Sequence, residues 1–372
     1  MKKVLHIFPD DKFFDQVSDF FDSLEGIINV YIFLASKDYT FKYIKQVDKI
    51  KVFNNIALYR NYISSTDADI VYLHSLRDLS VFEYFSPSIK VIWWSWGYDI
   101  YNRPSPLSKP LITIELYKHV TKQLITDSAK LSPYKYLKYT FLKLIVNRKL
   151  RKAIHRIDYY TPVLPIEYKL LCQNKFFKAK PFRIDFGPGY CTFNKLHYIK
   201  GAGNILIGNS LSPTNNHLDI FPLIKHINIG NRKYIIPVNY GTGYNISKTQ
   251  LKNLSGLNSD SVIWLEKYLS LKEYENIIGS VTHAIFGHVR QQAVGNHRMC
   301  IASGIKMFFF KDSINYQYYK GMGFHVYSIE DDLNEENLAS NLTYAQAVHN
   351  YNLLLSVARD NKGKYEKELM KI

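Results

Sequence analysis

Short apolar runs separated by helical patterns recur along almost the whole of this 372-residue chain, and that rhythm admits few folds. In the first half the runs are VLHIF (4–8), NVYIFLA (29–35), IVYLHS (70–75), VIWWSWG (91–97) and DYYTPVL (158–164). Gly and Pro break the pattern at 181–203, which reads as a linker. It then restarts with NILIGNS (204–210), YIIPVNYG (234–241), VIWLEKY (262–268), HAIFGH (283–288), KMFFF (306–310) and HVYSI (325–329). Continuous apolar strands joined through helices form parallel sheets covered on both faces. The expected fold class is α/β, with two Rossmann-like parallel-sheet domains facing each other across a cleft. Their expected limits are 1–185 and 203–333, with a helical segment over 334–372.

In such sheets ligands lie beyond the carboxyl ends of the strands. In the first half that edge collects Pro9, Asp10, His74, Ser75, Trp96, Gly97, Tyr98 and Asp99. In the second half it collects Gly208, Asn209 and Ser210, then Tyr240 and Gly241, then Glu266 and Lys267. The most informative stretch is FGHVRQQAVGN, 286–296, where an apolar strand ends in a turn carrying Arg290, Gln291, Gln292 and Asn296 before a helix that runs to Gly304. Polar and cationic groups delivered to the start of a helix favour an anion, because free backbone N–H groups and the helix dipole point there. Four strand tips of this kind at one edge suit a nucleotide sugar, with its diphosphate at the 286–296 turn.

Other chemistries find little support. Neither half has a G-x-G-x-x-G fingerprint or a Walker loop, and no H-E-x-x-H spacing points to a metal. Asp67-Ala68-Asp69 has the D-x-D form but precedes a strand, at the amino edge, and reads as a solvated turn. Cys172, Cys191 and Cys300 are scattered, without zinc or disulfide spacing. The first apolar run is only a strand's length, too short for a signal peptide.

The formal charge of +16 implies an anionic partner. Half of it sits in residues 115–160, where eleven Lys/Arg face Glu115, Asp127 and Asp158. Within that stretch YKYLKYTFLKLIVNRKLRKAIHR interleaves apolar residues with Lys143, Arg148, Lys149, Arg151 and Lys152 at helical spacing. This is the pattern of an amphipathic helix on an anionic membrane surface; a solvated helix face and an RNA-binding surface remain alternatives to it.

GNSLSPTNNH, IPVNYG, EKY followed by SLKEYENII, and above all FGHVRQQAVG resemble segments of the TDP-Fuc4NAc:lipid II Fuc4NAc transferases, glycosyltransferase family 56. LHSL (73–76), WWSWGYDIY (93–101) and the basic stretch 134–157 are similar to that family's N-terminal half. The resemblance implies a GT-B architecture, a TDP-sugar donor in the C-terminal domain, a polyprenyl-diphosphate-linked acceptor at the N-terminal domain, and inversion at the sugar carbon. It implies no required metal or cofactor and a peripheral place on the cytoplasmic face of the bacterial inner membrane. The family more often has an acidic residue after the GNS turn, and that departure leaves the particular sugar open.

Inverting transfer needs a general base on the acceptor hydroxyl and charge stabilisation on the departing diphosphate. Arg290 and helix-terminal amides are the natural stabilisers. Asp99 is the first candidate for the base and His74 the second, with Trp94 and Trp96 able to wall a sugar ring; His6 and Asp10 are weaker candidates. Asp99 also reads as a simple cap after WSWG. The competing functions are a basic RNA- or membrane-binding module without catalysis and a GT-B sugar-nucleotide epimerase.

Overall fold

The structure is a computed structural model. It describes residues 1–76, 78–101, 110–126, 133–182, 195–241, 247–267, 269–358 and 361–372, with the backbone alone at 126, 133–144, 358 and 361. The chain forms two compact units. Unit 1 comprises Met1–Thr113, Ser132–Tyr190 and Ala358–Ile372; unit 2 comprises Ile114–Leu131 and Cys191–Val357.

Unit 1 carries β1 (Lys2–Ile7), β2 (Ile27–Leu34), β3 (Ile50–Phe53), β4 (Ile70–His74), β5 (Lys90–Trp94), β6 (Tyr159–Thr161) and β7 (Lys180–Pro181). They form one sheet in the order β3-β2-β1-β4-β5-β6-β7, every pair parallel. β1 lies between β2 and β4, so the direction of winding reverses between β1 and β4. The two strands that the apolar runs do not reveal are the sheet's edges. β3 buries only Ile50 fully, and β7 is a Lys-Pro pair whose proline is tolerated because an edge strand need not donate on both sides.

Unit 2 carries β8 (Asn204–Ile207), β9 (Tyr234–Pro237), β10 (Val262–Leu265), β11 (Val281–Phe286), β12 (Lys306–Phe309) and β13 (Tyr327–Ser328), all within the expected runs except that β11 begins two residues before 283. Their order is β10-β9-β8-β11-β12-β13, again parallel, with the reversal between β8 and β11. Alternate residues feed two separate cores. Ile205, Ile207, Ile285 and Phe308 pack on one face, and Leu206, Ala284, Phe286, Met307 and Phe309 on the other. Burial on both faces is why these strands read as unbroken apolar runs.

The units differ from the expected boundaries in two places. Residues 114–131 join unit 2 because Asp219 accepts the Val120 and Thr121 N–H groups at 2.8 and 3.0 Å, which satisfies the start of helix His119–Thr126. The segment after 334 divides. Helix Tyr344–Ala358 belongs to unit 2, whereas helix Asn361–Lys371 packs on unit 1 through buried Leu369 and through Tyr365, whose hydroxyl donates to Tyr72 at 2.8 Å. Of the linker, 183–194 with Cys191 lies outside the described residues, while Tyr198 docks on unit 2 by donating to the Leu342 carbonyl at 2.6 Å. The D-x-D pair ties two strands at their amino ends: Asp69 accepts the Lys3 N–H at 2.8 Å, and Asp67, largely exposed, pairs with the Lys3 ammonium.

Candidate functional site

The turns after β8 and β11 close around one residue, Asn215. Gly208 has φ +67°, and a Cβ there would lie 2.5 Å from Asn215 Oδ1; a Cβ on Gly287 would lie 2.2 Å from the Asn215 carbonyl oxygen. Both glycines are therefore demanded by close approach. Asn215 Nδ2 donates to the Ser212 carbonyl at 3.0 Å and to Ser210 Oγ at 3.1 Å, so its Oδ1 is free to accept. It takes the Asn209 N–H at 2.9 Å and lies 2.8 Å from His288 Nε2.

Asn209 is oriented in the same way. Its Nδ2 donates to the Tyr240 hydroxyl at 2.8 Å, and its Oδ1 faces Gln292 Nε2 and His288 Nε2, both at 3.0 Å. Gln292 Oε1 in turn accepts from Thr214 at 2.6 Å. The Leu211 N–H donates to the Tyr240 carbonyl at 2.9 Å and brings the β9 tip, with Gly241 at φ +97°, into the group. The structure thus gathers Gly208, Asn209, Ser210, Tyr240, Gly241 and Gln292, together with three residues that the sequence did not single out: Thr214, Asn215 and His288. Asn215 stands in the polar turn after NILIGNS and His288 ends the HAIFGH run, and no local signal distinguishes the hub they form.

The tautomer of His288 follows from its partners. Two carbonyl oxygens face Nε2, so the proton is there and Nδ1 is bare. That atom is buried without a hydrogen-bond partner. Burial, with lesser effects from His297, Arg290 and His217, holds the ring's pKa well below its usual value. An unsatisfied buried acceptor costs about 1–3 kcal/mol. Buried Gln291 has an Oε1 in the same condition.

Arg290 is half-buried beside this hub. Its Nη1 donates to the Gln291 carbonyl at 3.3 Å, its own carbonyl accepts from Asn315 at 3.2 Å, and its charge reaches Tyr117. Helix Val294–Ala302 follows from Ala293, held at φ +60°, and no side chain caps its first turn. The other two candidates sit apart from the hub. Asn296 donates to the Tyr274 hydroxyl at 2.6 Å, and exposed Glu266, past the end of edge strand β10, pairs with Lys252.

In unit 1, Asp99 is buried and heavily engaged. Oδ2 accepts the Leu76 N–H and the Trp93 indole N–H, both at 2.9 Å, and Oδ1 accepts the Trp96 N–H at 2.8 Å. Burial raises its pKa and these donors oppose the rise. Asp99 therefore clasps the turns that follow β4 and β5. Asp10 does the same for the loop over 39–44: burial would raise its pKa, but the Lys42, Tyr43 and Ile44 amides and the Tyr39 hydroxyl bring it below the ordinary value. Trp94 is inside the core, while Trp96 is half-buried against Phe13 and Phe8.

His74 ends β4 and is fully buried, with Phe8 stacked 3.6 Å from its ring. Its Nε2 lies 3.0 Å from His6 Nδ1, and His6 Nε2 lies 3.0 Å from Asn29 Oδ1. Burial lowers His6 to about 4 and His74 well below the usual histidine range. Ser75, the next residue, has φ +89°.

Helix Pro133–Arg156 buries Leu150, Ala153 and Ile154 and exposes Arg148, Lys149, Arg151 and Lys152; the side chain of Lys143 lies outside the described residues. Lys149 is 3.6 Å from Glu83 and Arg151 stands 4.8 Å over the Phe176 ring. Arg151, Lys152 and His155 line an open pocket of about 640 Å³ with Pro87 and Phe176. Among the described residues no helix is long and apolar enough to cross a membrane.

Residues 182–352, which span every strand of unit 2, match the family described as 4-alpha-L-fucosyltransferase, glycosyl transferase group 56. No curated protein matches the chain. Its fold is shared by many solved structures, three of which follow. The lipopolysaccharide outer core galactosyltransferase WaaB, in its apo form, is 13% identical with a TM-score of 0.56, over 99% of this chain and 98% of that one. Anabaena HepE in complex with UDP and glucose is 11% identical with a TM-score of 0.60, over 100% and 99%. The N-terminal domain of Candida albicans trehalose-6-phosphate phosphatase is 9% identical with a TM-score of 0.61, over 100% and 96%. At these identities the likeness is one of fold, and the fold is GT-B.

Proposed function

We propose that this glycosyltransferase, matched to group 56 over residues 182–352, holds a nucleoside diphosphate sugar on unit 2 at the turns after β8 and β11. The observation that carries this reading is the hub of Asn209, Asn215, His288 and Gln292, which lies where the winding of the sheet reverses, the position at which open α/β sheets bind ligands. HepE, of the same fold, was solved with UDP and glucose, which supports a nucleotide-sugar donor.

The donor is a TDP-linked deoxy-amino sugar such as Fuc4NAc, and the acceptor a saccharide on a polyprenyl diphosphate. Transfer inverts the anomeric carbon and serves surface polysaccharide synthesis. Arg290 and the uncapped amides of helix Val294–Ala302 stabilise the departing diphosphate. Unit 1 supplies the general base. The three N–H groups already on Asp99 favour His74 for that role, because a base needs an accepting atom that is not committed elsewhere. The exposed cations of helix Pro133–Arg156 hold the protein at the cytoplasmic face of an anionic inner membrane.

The test is binding of TDP and UDP by calorimetry, followed by release of nucleoside diphosphate from a panel of TDP- and UDP-sugars. Arg290→Ala should lose on the order of 2–4 kcal/mol of transition-state stabilisation. Arg290→Lys should recover only part of it, since an ammonium lacks the guanidinium fork. Unchanged turnover in Arg290→Ala would remove the diphosphate role.

A further inference from the structure

We propose that Asn29, His6 and His74 form a proton-accepting relay at the carboxyl edge of the unit 1 sheet, in which His6 positions His74 to take the proton of the acceptor hydroxyl. The proposal rests on the transferase reading above and adds to it the machinery of the base.

The polarity of the relay is fixed from its inner end. Asn29 Nδ2 donates to the Phe21 carbonyl at 2.8 Å, which turns Oδ1 toward His6 Nε2 at 3.0 Å. A carbonyl oxygen can only accept, so His6 carries its proton on Nε2 and its Nδ1 is bare. Across the sheet, His6 Nδ1 lies 3.0 Å from His74 Nε2, which must then be the donor. His74 is left with a bare Nδ1, and among the described residues no protein atom answers it. Two histidines on neighbouring strands are thus locked in series into single tautomers, and the series ends in an acceptor. A neighbouring carboxylate does similar work for a catalytic imidazole in hydrolases; here an amide and a second imidazole do it.

Position supports a role in the reaction. β1 and β4 flank the reversal of winding in this sheet, and His74 is the last residue of β4. Ser75 follows in a strained conformation, φ +89°. Backbone strain and an unanswered buried acceptor occur side by side, and both tend to cluster at functional sites. Phe8, Phe21 and Tyr72 surround the pair and exclude water, which keeps it neutral and able to accept. Phe8, on the loop after β1, stacks on the face of the His74 ring and leaves the in-plane Nδ1 lone pair to an incoming acceptor.

The step balances as follows. The acceptor oxygen bonds to the anomeric carbon and its proton passes to His74 Nδ1, while the bond from that carbon to the diphosphate oxygen breaks and the diphosphate departs with the electron pair. The Nε2 proton of the new imidazolium stays shared with His6 Nδ1, so the charge spreads over two rings. The charged and titratable groups facing the pair are Asp22, Tyr31 and Tyr72. Asp22 lies 3.3 Å from Asn29 Nδ2, accepts from Tyr31 at 2.9 Å and favours the positive charge on His6, while being partly offset by Lys49 at 2.8 Å.

The test uses the full chain labelled with ¹⁵N-histidine. Nitrogen shifts should show a bare Nδ1 and protonated Nε2 on both His6 and His74; a proton on His74 Nδ1 would overturn the relay. The second arm follows hydrolysis of the best-bound sugar of the TDP/UDP panel, with water as acceptor. His6→Phe keeps a ring in the core and removes the acceptor. It should lower kcat about 10–100-fold at unchanged donor KM, in a protein whose melting curve remains cooperative. Asn29→Asp places a carboxylate on the His6 proton, and the acid limb of the kcat profile should move to higher pH. A wild-type kcat and pH profile in His6→Phe, or an equal loss of kcat and donor affinity, would overturn the positioning role. A wild-type protein that binds neither TDP nor UDP would instead sink the transferase reading and leave the tautomer result standing.

Discussion

Gly287 and Gly295 lie on either side of Arg290 and their demands are opposite. A Cβ on Gly287 would meet the Asn215 carbonyl at 2.2 Å, whereas one on Gly295, in the first turn of helix Val294–Ala302, meets nothing within 4 Å. Gly287→Ala should push the β11 turn away from Asn215, weaken TDP or UDP binding at least tenfold and lower the melting temperature. Gly295→Ala should bind as wild type and gain roughly 0.5–1 kcal/mol from helix propensity. Calorimetry and thermal melts of the pair check this. At Asp99 the count of donors decides. Asparagine has one acceptor oxygen where three N–H groups now converge on two, so Asp99→Asn leaves at least one donor facing an NH₂ group. It should cost about 1–3 kcal/mol in urea unfolding. Asp99→Asn with full stability but turnover reduced by a factor of 10² or more would return the base role to Asp99.

At the level of elements, the last turns of helix Pro133–Arg156 have two faces: Leu150, Ala153 and Ile154 face the core while Arg148, Lys149, Arg151 and Lys152 face solvent. A surface of this kind holds anionic lipid by Coulomb attraction at about 1 kcal/mol per cation, so binding should be steeply salt-dependent. Replacing these four residues by Gln should abolish sedimentation with phosphatidylglycerol vesicles at low salt and leave nucleoside diphosphate binding unchanged. Equal binding to neutral vesicles, or tighter binding to RNA, would reject the membrane role.

For the whole molecule, burial of histidines sets the response to acid. Burial lowers His6, His217 and His283 to about 4, His297 to about 3, and His74 and His288 well below the ordinary value. The unfolded chain binds protons near 6.5 and the folded chain does not. Their stabilising effect is therefore complete above about pH 6.5 and is lost as the pH falls from there toward 4. Glu167, raised to about 7 by burial, acts in the opposite sense, since its effect is complete below its unfolded value and is lost as pH rises through 7. Six histidines outweigh one glutamate. The unfolding free energy should fall by on the order of several kcal/mol between pH 7 and pH 4.5, and a flat profile over that range would contradict the burial of these rings.

The alternation of apolar runs and helical patterns by itself determined that the chain forms two parallel sheets, because a strand covered on both faces must be apolar throughout and a parallel partner requires a crossover. It located all six strands of unit 2 and put Asn209, Tyr240 and Gln292 at one edge, where they hydrogen-bond to one another. It could not supply strand order, which is set by packing between residues far apart in sequence. β8 lies beside β11, and so Asn209 meets His288 across 79 positions; β1 lies beside β4, and so His6 meets His74 across 68. Asn215 and His288 carry no local mark of their function, since a hydrogen-bonded hub exists only once both turns have closed on it. Asp99 shows the converse: its position at a strand end suited either a general base or a cap, and only the folded turns supply the three N–H groups that occupy it. Segments 114–131 and 361–371 were likewise assigned by tertiary contacts, the first by Asp219 and the second by Tyr72, because a helix's own periodicity says which face it buries but not which core receives it.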